Sequence, residues 1–356
     1  MRFGLVGTGH WARATHAPAI AGTDGAELVG VWGRRPEAVS ALADEHGARA
    51  YDDFDALLGD VDAVAFSVPP DVQAPLATRA ARAGKHLLLD KPIALSREDS
   101  DALVDAVSAT GVASVVFLTS RFVPAVRDWL ADVTTTSDWD GATAHWLGAT
   151  FAEGSPYADS QWRHDKGGLW DLTPHILSIV MVVFGPVDRV TAERGQRDTT
   201  NLLLHHTSGA TSVLTVSLEA PPAATVQDLA IWGARGRSWM PAGFDDPPAA
   251  LRVALSELMA IVEYGAVEHP CNVRFGRDIV EVLAAADEQL RGRLGGAPEG
   301  NRRQGRSSTP YLSAVVTTWR GSRPVRTSSR LTVSSTWRRL PRTATQTVIR
   351  LSVGPS

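Results

Sequence analysis

Asp171 and His175 stand four residues apart, with Pro174 between them marking a helix start. At that spacing both side chains can face one pocket. A neutral imidazole, with an ordinary pKa of about 6.5, can take the proton of a hydroxyl group. A carboxylate beside it can bind substrate and orient the ring. Lys91, in Asp90-Lys91-Pro92, adds an ammonium able to stabilise alkoxide charge as an alcohol is oxidised. Each feature alone has a plainer account: an Asp-x-x-x-His pair is as readily a helix cap with a surface residue, and a lysine before proline can simply end a strand.

A base and an electrophile oxidise an alcohol only if a hydride acceptor is at hand. Gly7-Thr8-Gly9-His10-Trp11-Ala12 follows the apolar run 2–7 and opens a helical segment, 10–21, that Pro18 must kink or end. In such a turn the first glycine permits the tight bend and the second lets the backbone approach a pyrophosphate. The small third residue lets helix and strand pack closely. The helix N-terminus then offers free N–H groups to phosphates. Beyond the second strand, where a carboxylate commonly accepts from the ribose hydroxyls, the chain reads Trp32-Gly33-Arg34-Arg35. Guanidinium groups suit a 2′-phosphate, so NADP is favoured over NAD. The alternative, that Arg34 and Arg35 merely cover a helix start, sits poorly with the positive dipole there. Ser67 and Pro69, where the third strand ends, and Asp90 are expected to border the same cofactor.

The elements that would hold these groups follow a regular rhythm. Apolar runs at 26–32, 61–68, 86–89 and 113–118 alternate with helical stretches at 35–46, 72–83 and 96–110. That pattern means a parallel sheet covered on both faces, an α/β dinucleotide-binding domain over residues 1–120. From Arg121 the rhythm changes. A helix at 123–130, a strand at 142–149, a loop rich in Gly, Trp and Asp and a helix at 174–183 lead to strands at 187–194, 200–206, 210–219 and 226–232. These describe a second, α+β domain over 121–298 with a mostly antiparallel open sheet. Residues 274–294 close it as an amphipathic helix.

The 356 residues carry a net charge of −4, but the distribution is uneven. Residues 301–356 hold eleven Arg and no Lys, Asp or Glu, with 19 Ser or Thr among 56. The first 300 residues therefore combine 24 basic with all 39 acidic groups, an acidic body that repels nucleic acid. Residues 299–356 lack periodicity; a disordered basic tail and translation in the wrong frame after about residue 297 both account for them. No run of 18 apolar residues occurs, so no membrane span is expected. One cysteine, Cys271, and the absence of a signal-peptide pattern point to the cytoplasm. His10, His16 and His164 lack metal-ligand spacing, and no metal is expected.

Three segments, Gly84–Pro92, Ser120–Ala125 and Trp162-Arg163 with Gly167–His175, together resemble the Gfo/Idh/MocA oxidoreductases, the family of glucose–fructose oxidoreductase and inositol dehydrogenase. The resemblance runs from residue 2 to about 294, with Pro270–Asp278 also similar. It implies hydride transfer between a nicotinamide and a sugar or cyclitol. Lys91, Asp171 and His175 would be the catalytic residues, with Arg121, Trp162 and Arg163 beside the substrate. It also implies a homodimer or homotetramer formed through the open face of the second sheet. Asp90 replaces the family's glutamate before the lysine, and Thr173, Ser178 and Gln73 stand where glycine, aspartate and histidine are common. A catalytically silent dinucleotide-binding regulator of the same fold is the other reading; loss of the lysine or histidine would mark it, and both are present.

Overall fold

The structure, a computed structural model, describes residues 1–242, 246–265 and 268–294; the basic segment 299–356 lies outside them. The first lobe is a six-stranded, wholly parallel sheet of β1 (Arg2–Val6), β2 (Glu27–Trp32), β3 (Arg49–Tyr51), β4 (Ala63–Phe66), β5 (His86–Asp90) and β6 (Ser114–Phe117). Their spatial order is β3-β2-β1-β4-β5-β6, the doubly wound arrangement that leaves a crevice at the carboxyl ends of β1 and β4. Strands β4 and β6 are buried along their whole length because helices cover both faces. Those helices include α1 (Ala17–Ala21), α2 (Pro36–Glu45), α3 (Phe54–Asp60), α4 (Pro70–Arg82) and α5 (Arg97–Thr110). Asp53 and Ser96 cap α3 and α5 by accepting from Ala56 and Asp99 backbone N–H groups.

The expected kink at Pro18 takes a particular form. A π-helical turn, Ala12–His16, precedes α1 and places Pro18 in the first turn of the new helix, where a missing N–H is harmless. Strand β3 and helix α3 had no expectation attached to them; three residues are too few to show a period.

The second lobe holds α6 (Pro124–Val133), β7 (Trp139–Leu147), α7 (Gln161–Asp171), α8 (Thr173–Phe184), β8 (Val187–Arg194), β9 (Thr200–His206), β10 (Thr211–Ser217), β11 (Val226–Gly233) and β12 (Gly236–Trp239). Its sheet runs β12-β11-β7-β10-β9-β8, antiparallel throughout except where β7 meets β10. Leu202, Leu204, Leu214 and Val216 fill the face packed on the core. The other face leaves Leu203, Val213 and Trp232 exposed. The later part of the stretch expected as a loop before α8, Gln161–Asp171, is helical. Gly167, at φ 61 and ψ −166, breaks α7 so that its last turn runs in a new direction towards α8. The combined stretch Gln161–Phe184 is apolar and long enough to cross a membrane by composition, but 83% of its apolar window is buried in the protein.

Two further helices, α9 (Pro247–Tyr264) and α10 (Val273–Leu294), follow the sheet. Both return to the first lobe: α9 packs on α1, and α10 on α5. The return is pinned beside β6, where Val116 N–H donates to the Cys271 carbonyl at 2.7 Å and Val273 N–H to Ser114 Oγ at 3.1 Å. Helices α9 and α10, which follow the second sheet in the chain, therefore pack on the first lobe.

At the end of β5 the chain turns through a cis Lys91–Pro92 bond. Gln73 on α4, 1% exposed, grips this turn. Its Oε1 accepts from Asp90 N–H at 2.8 Å, and its Nε2 donates to the Asp90 and Pro92 carbonyls at 2.8 and 3.2 Å. Gln73→Leu strands these buried groups and should cost about 1–3 kcal/mol, read as a lower urea midpoint at unchanged m. An unchanged midpoint would show the clamp to be dispensable.

Candidate active site

The nucleotide turn is shaped by what glycine lacks. Gly7 has φ +126, and a β-carbon there would lie 2.2 Å from the Ser67 carbonyl oxygen. Its N–H donates to Trp32 O at 2.9 Å, while Ser67 N–H donates to Val6 O at 2.8 Å, so the ends of β1, β2 and β4 are laced together. A β-carbon at Gly9 would meet nothing within 4 Å, and Gly9 lines a cleft of about 550 Å³. Ala12, the small third residue, is fully buried. Ser67 Oγ is buried and lacks a hydrogen-bond partner, so a donor is available where a nucleotide would pass. Open backbone at Gly9, this hydroxyl and the helical start at His10 together fit a dinucleotide.

The cleft brings together most of the expected residues. Gly9, His10, Trp11, Arg35, Ser67 and Pro69 line its first-lobe wall. Asp90, Lys91, Trp162, Arg163, Asp171 and His175 gather where the lobes meet. Gly7, Thr8, Ala12 and Gly33 lie behind the wall; a β-carbon on Gly33 would come 3.2 Å from Thr8 Cγ2. Arg34 and Arg35 are exposed past β2, and neither forms an ion pair among the described residues, but only Arg35 lines the cleft. Arg121 is not brought to the cleft lining. Its Nη1 donates to the Ser178 carbonyl at 3.0 Å and its guanidinium approaches the Phe275 ring, so it braces α8 from behind.

Asp171 lies at the centre of the group. Its Oδ1 accepts from Lys91 Nζ at 2.7 Å and its Oδ2 from Arg163 Nε at 2.9 Å. Lys91 Nζ also donates to the Asp171 carbonyl at 2.6 Å, which leaves one of its three N–H groups for another acceptor. Burial alone would raise the Asp171 carboxyl; the charges and hydrogen bonds of Lys91 and Arg163 outweigh it and hold the group well below the usual carboxylate range. Arg163 is fixed in turn by two rings, with Tyr157 at 4.4 Å and Trp162 at 4.6 Å from the guanidinium carbon. Tyr157 also meets His10 edge-on at 5.6 Å, joining the second lobe to the nucleotide turn.

His175, 5% exposed in the first turn of α8, packs against Trp146 at 5.0 Å between ring centroids. Burial first, then the Lys91 charge, push its pKa well below the ordinary histidine value, against the pull of Asp171. The imidazole is therefore neutral and able to accept a proton. Asp90 is pushed up to about 6 by burial, with Lys91 opposing; its Oδ1 accepts from Lys91 N–H at 2.8 Å. Ser178 donates to the His175 carbonyl at 2.6 Å. Sequence reasoning missed Trp146 and Tyr157 as cleft residues: Trp146 falls within an expected strand but in no motif, and Tyr157 lies in a loop. Gln73 was noted only as a departure, and its clamp emerges from the packing.

A parallel dinucleotide-binding sheet, a second lobe with an open mixed sheet and a Lys–Asp–His group between them define an oxidoreductase with an NAD-binding Rossmann fold. The matches to known proteins agree. Residues 1–118 match the model of the oxidoreductase family with NAD-binding Rossmann fold, and residues 142–238 that of the GFO/IDH/MocA C-terminal domain. The chain belongs to the Gfo/Idh/MocA family. It is 30% identical over 239 residues to inositol 2-dehydrogenase of Rhizobium meliloti, covering 62% of this chain and 69% of that one. D-apiose dehydrogenase of Paraburkholderia graminis is 31% identical over 229 residues, covering 60% and 59% of the two chains. In structure, UDP-N-acetylglucosamine 3-dehydrogenase of Acidithiobacillus ferrooxidans superposes with a TM-score of 0.70 at 21% identity, covering 83% of this chain and 99% of that one.

Buried neutral histidines make stability depend on pH. His16, fully buried in the π-helical turn, has its pKa lowered by desolvation from 6.5 to about 4, and His175 shifts the same way. Below about pH 6.5 the unfolded chain takes up protons at these two positions that the folded chain refuses, so their contribution to stability falls as pH drops towards 4. For His16 alone the loss by pH 4 amounts to about 3 kcal/mol. The Asp171 contribution persists to lower pH and is lost only below the ordinary carboxylate range. Asp90, with its carboxyl raised to about 6, works in the opposite direction over this range, so the His16 contribution is read as a difference. In urea titrations at pH 7 and pH 4.5, acidification should be less unfavourable to His16→Leu than to the unaltered protein; an equal change in both would overturn this account.

Proposed function

We propose that the protein transfers a hydride reversibly between NADP, in preference to NAD, and a secondary hydroxyl or carbonyl of a sugar or cyclitol. The observation that carries this reading is the convergence of Lys91, Asp171 and His175 at the inner end of a cleft whose other wall is the nucleotide turn. When bound, the nicotinamide supplies the redox chemistry. Neutral His175 takes the hydroxyl proton as the alcohol is oxidised and returns it in reduction. Lys91, with one N–H left over from Asp171, donates to the reacting oxygen and stabilises its developing charge. Asp171 has both oxygens engaged by cations, which supports a role in fixing Lys91 and Arg163 as well as any part in orienting the imidazole. Trp146, Tyr157 and Trp162 give the cleft an aromatic wall suited to the C–H faces of a sugar ring.

The relatives support this substrate class, since their names include an inositol 2-dehydrogenase and a D-apiose dehydrogenase. A solved neighbour from gentamicin A biosynthesis, in complex with NAD, aligns with a TM-score of 0.70 at 20% identity. Preference for NADP rests on this chain alone: no carboxylate follows β2, and Arg34 and Arg35 stand there unpaired among the described residues. A homodimer or homotetramer through the sheet face bearing Leu203, Val213 and Trp232, in the cytoplasm, completes the proposal. Residues 1–120 and 121–298 are its nucleotide-binding and substrate segments.

Two measurements test it. In fluorescence titration NADPH should bind more tightly than NADH, Arg35→Ala should weaken NADPH selectively, and Gly33→Asp with Arg34→Ala should reverse the preference; tighter NADH binding by the unaltered protein refutes it. On whichever member of a panel of cyclitols and aldoses is oxidised, His175→Ala should lower kcat by about 10²–10⁴-fold with cofactor affinity unchanged. Full kcat in that variant would move the proton to another acceptor.

A further inference from the structure

Asp198 lies outside the cleft lining, in the turn between β8 and β9, yet its carboxylate gathers donors from two directions. Oδ2 accepts from Gly168 N–H at 2.9 Å, where α7 resumes after its break. The same carboxylate accepts from Leu218 N–H at 2.8 Å, from Glu219 N–H at 3.1 Å and from Ser217 Oγ, all at the end of β10. The turn that presents it is tight: Gly195 N–H donates to Thr199 O at 2.8 Å, and Arg197 adopts a left-handed φ of 57.

The paired glycines fit this carboxylate from the other side. A β-carbon on Gly167 would sit 3.3 Å from Asp198 Oδ2, in a backbone conformation that side chains rarely adopt. On Gly168 it would come 3.0 Å from Ser217 N, against the strand end that Asp198 also holds. From Gly168 a relay of backbone bonds reaches the chemistry. Leu172 N–H donates to Gly168 O at 2.9 Å, and His175 N–H to Leu172 O at 3.2 Å, with Asp171 between them.

We propose that Asp198 is a positioning residue for the reaction: by capping the resumed turn of α7 from another element, it fixes where Asp171 presents its oxygens to Lys91 and Arg163 and where His175 begins α8. It touches neither cofactor nor substrate. The catalytic consequence rests on the function proposed above, whereas the mechanical consequence does not.

The test compares the unaltered full chain with Asp198→Ala, Asp198→Asn and Gln289→Ala. Gln289 bonds β8 at Ala192 N–H and Val190 O, in the same sheet but away from the cleft, and serves as a control for general destabilisation. Without any ligand, amides of residues 168–175 in Asp198→Ala should exchange with deuterium at least about tenfold faster, while those of β4 and β5 keep their rates. With NADPH, the fluorescence-derived Kd should stay unchanged. On an oxidised polyol, kcat should fall about 10–100-fold, the cost of misplaced groups, with Asp198→Asn intermediate because it keeps one acceptor oxygen. Unchanged exchange at 168–175 overturns the proposal, as does a Gln289→Ala protein that loses as much kcat. If no polyol is oxidised by the unaltered chain, the functional reading fails and the exchange rates still decide the positioning role. If Asp198→Ala does not fold, Asp198→Asn carries the same comparison.

Discussion

The buried carboxylate of Asp171, shared between Lys91 and Arg163, is the constraint on which the site depends. Lys91 arrives from the end of β5 and Asp171 from the end of α7, so one ion pair ties the nucleotide-binding lobe to the other across the cleft. Such a group is costly to desolvate, and removing Asp171 would leave two buried cations without their shared carboxylate. Its effect is therefore better described as placement than as stability. With Asp90 beside Lys91, two carboxylates face two cations here, and what the arrangement adds next to the neutral imidazole is an ammonium held in place with one N–H left over.

Much of the first lobe was legible. Its strands are short apolar runs punctuated by glycine or proline, and burial on both faces makes such runs unambiguous once they alternate with helices. The glycine turn could be read because each position has a steric reason: Gly7 has no room for a β-carbon beside Ser67, and Gly9 faces the open cleft. Lys91, Asp171 and His175 were legible as residues in order. Which partners they take was not, because sequence names a side chain without giving its direction. Arg121 illustrates the limit: expected beside the substrate, it turns instead to the carbonyl of Ser178.

The second lobe hid more. Helix α7 escaped notice because its glycines, which ordinarily weaken a helix, here allow the break that aims Asp171. Gln73 carries no periodic or motif signal, yet it satisfies four backbone groups of the turn that bears Lys91. Tyr157 and Trp146 act through ring contacts with residues from distant segments. Contacts of this kind belong to the tertiary arrangement and leave no local trace.

The return of α9 and α10 to the first lobe has a mechanical meaning. The chain crosses between the lobes on its way out near Phe122 and crosses again on its way back, with α10 touching both α5 and β8. A lobe attached through one linker can swing about any axis through it, but one attached through two crossings can turn only about the line that joins them. The helices also remain in contact with both sides, so large rotations would have to unpack buried apolar surface. Separation of the halves is thereby opposed, and Pro156, Asp159 and Ser160, which line the cleft from the second lobe, stay opposite the nucleotide turn.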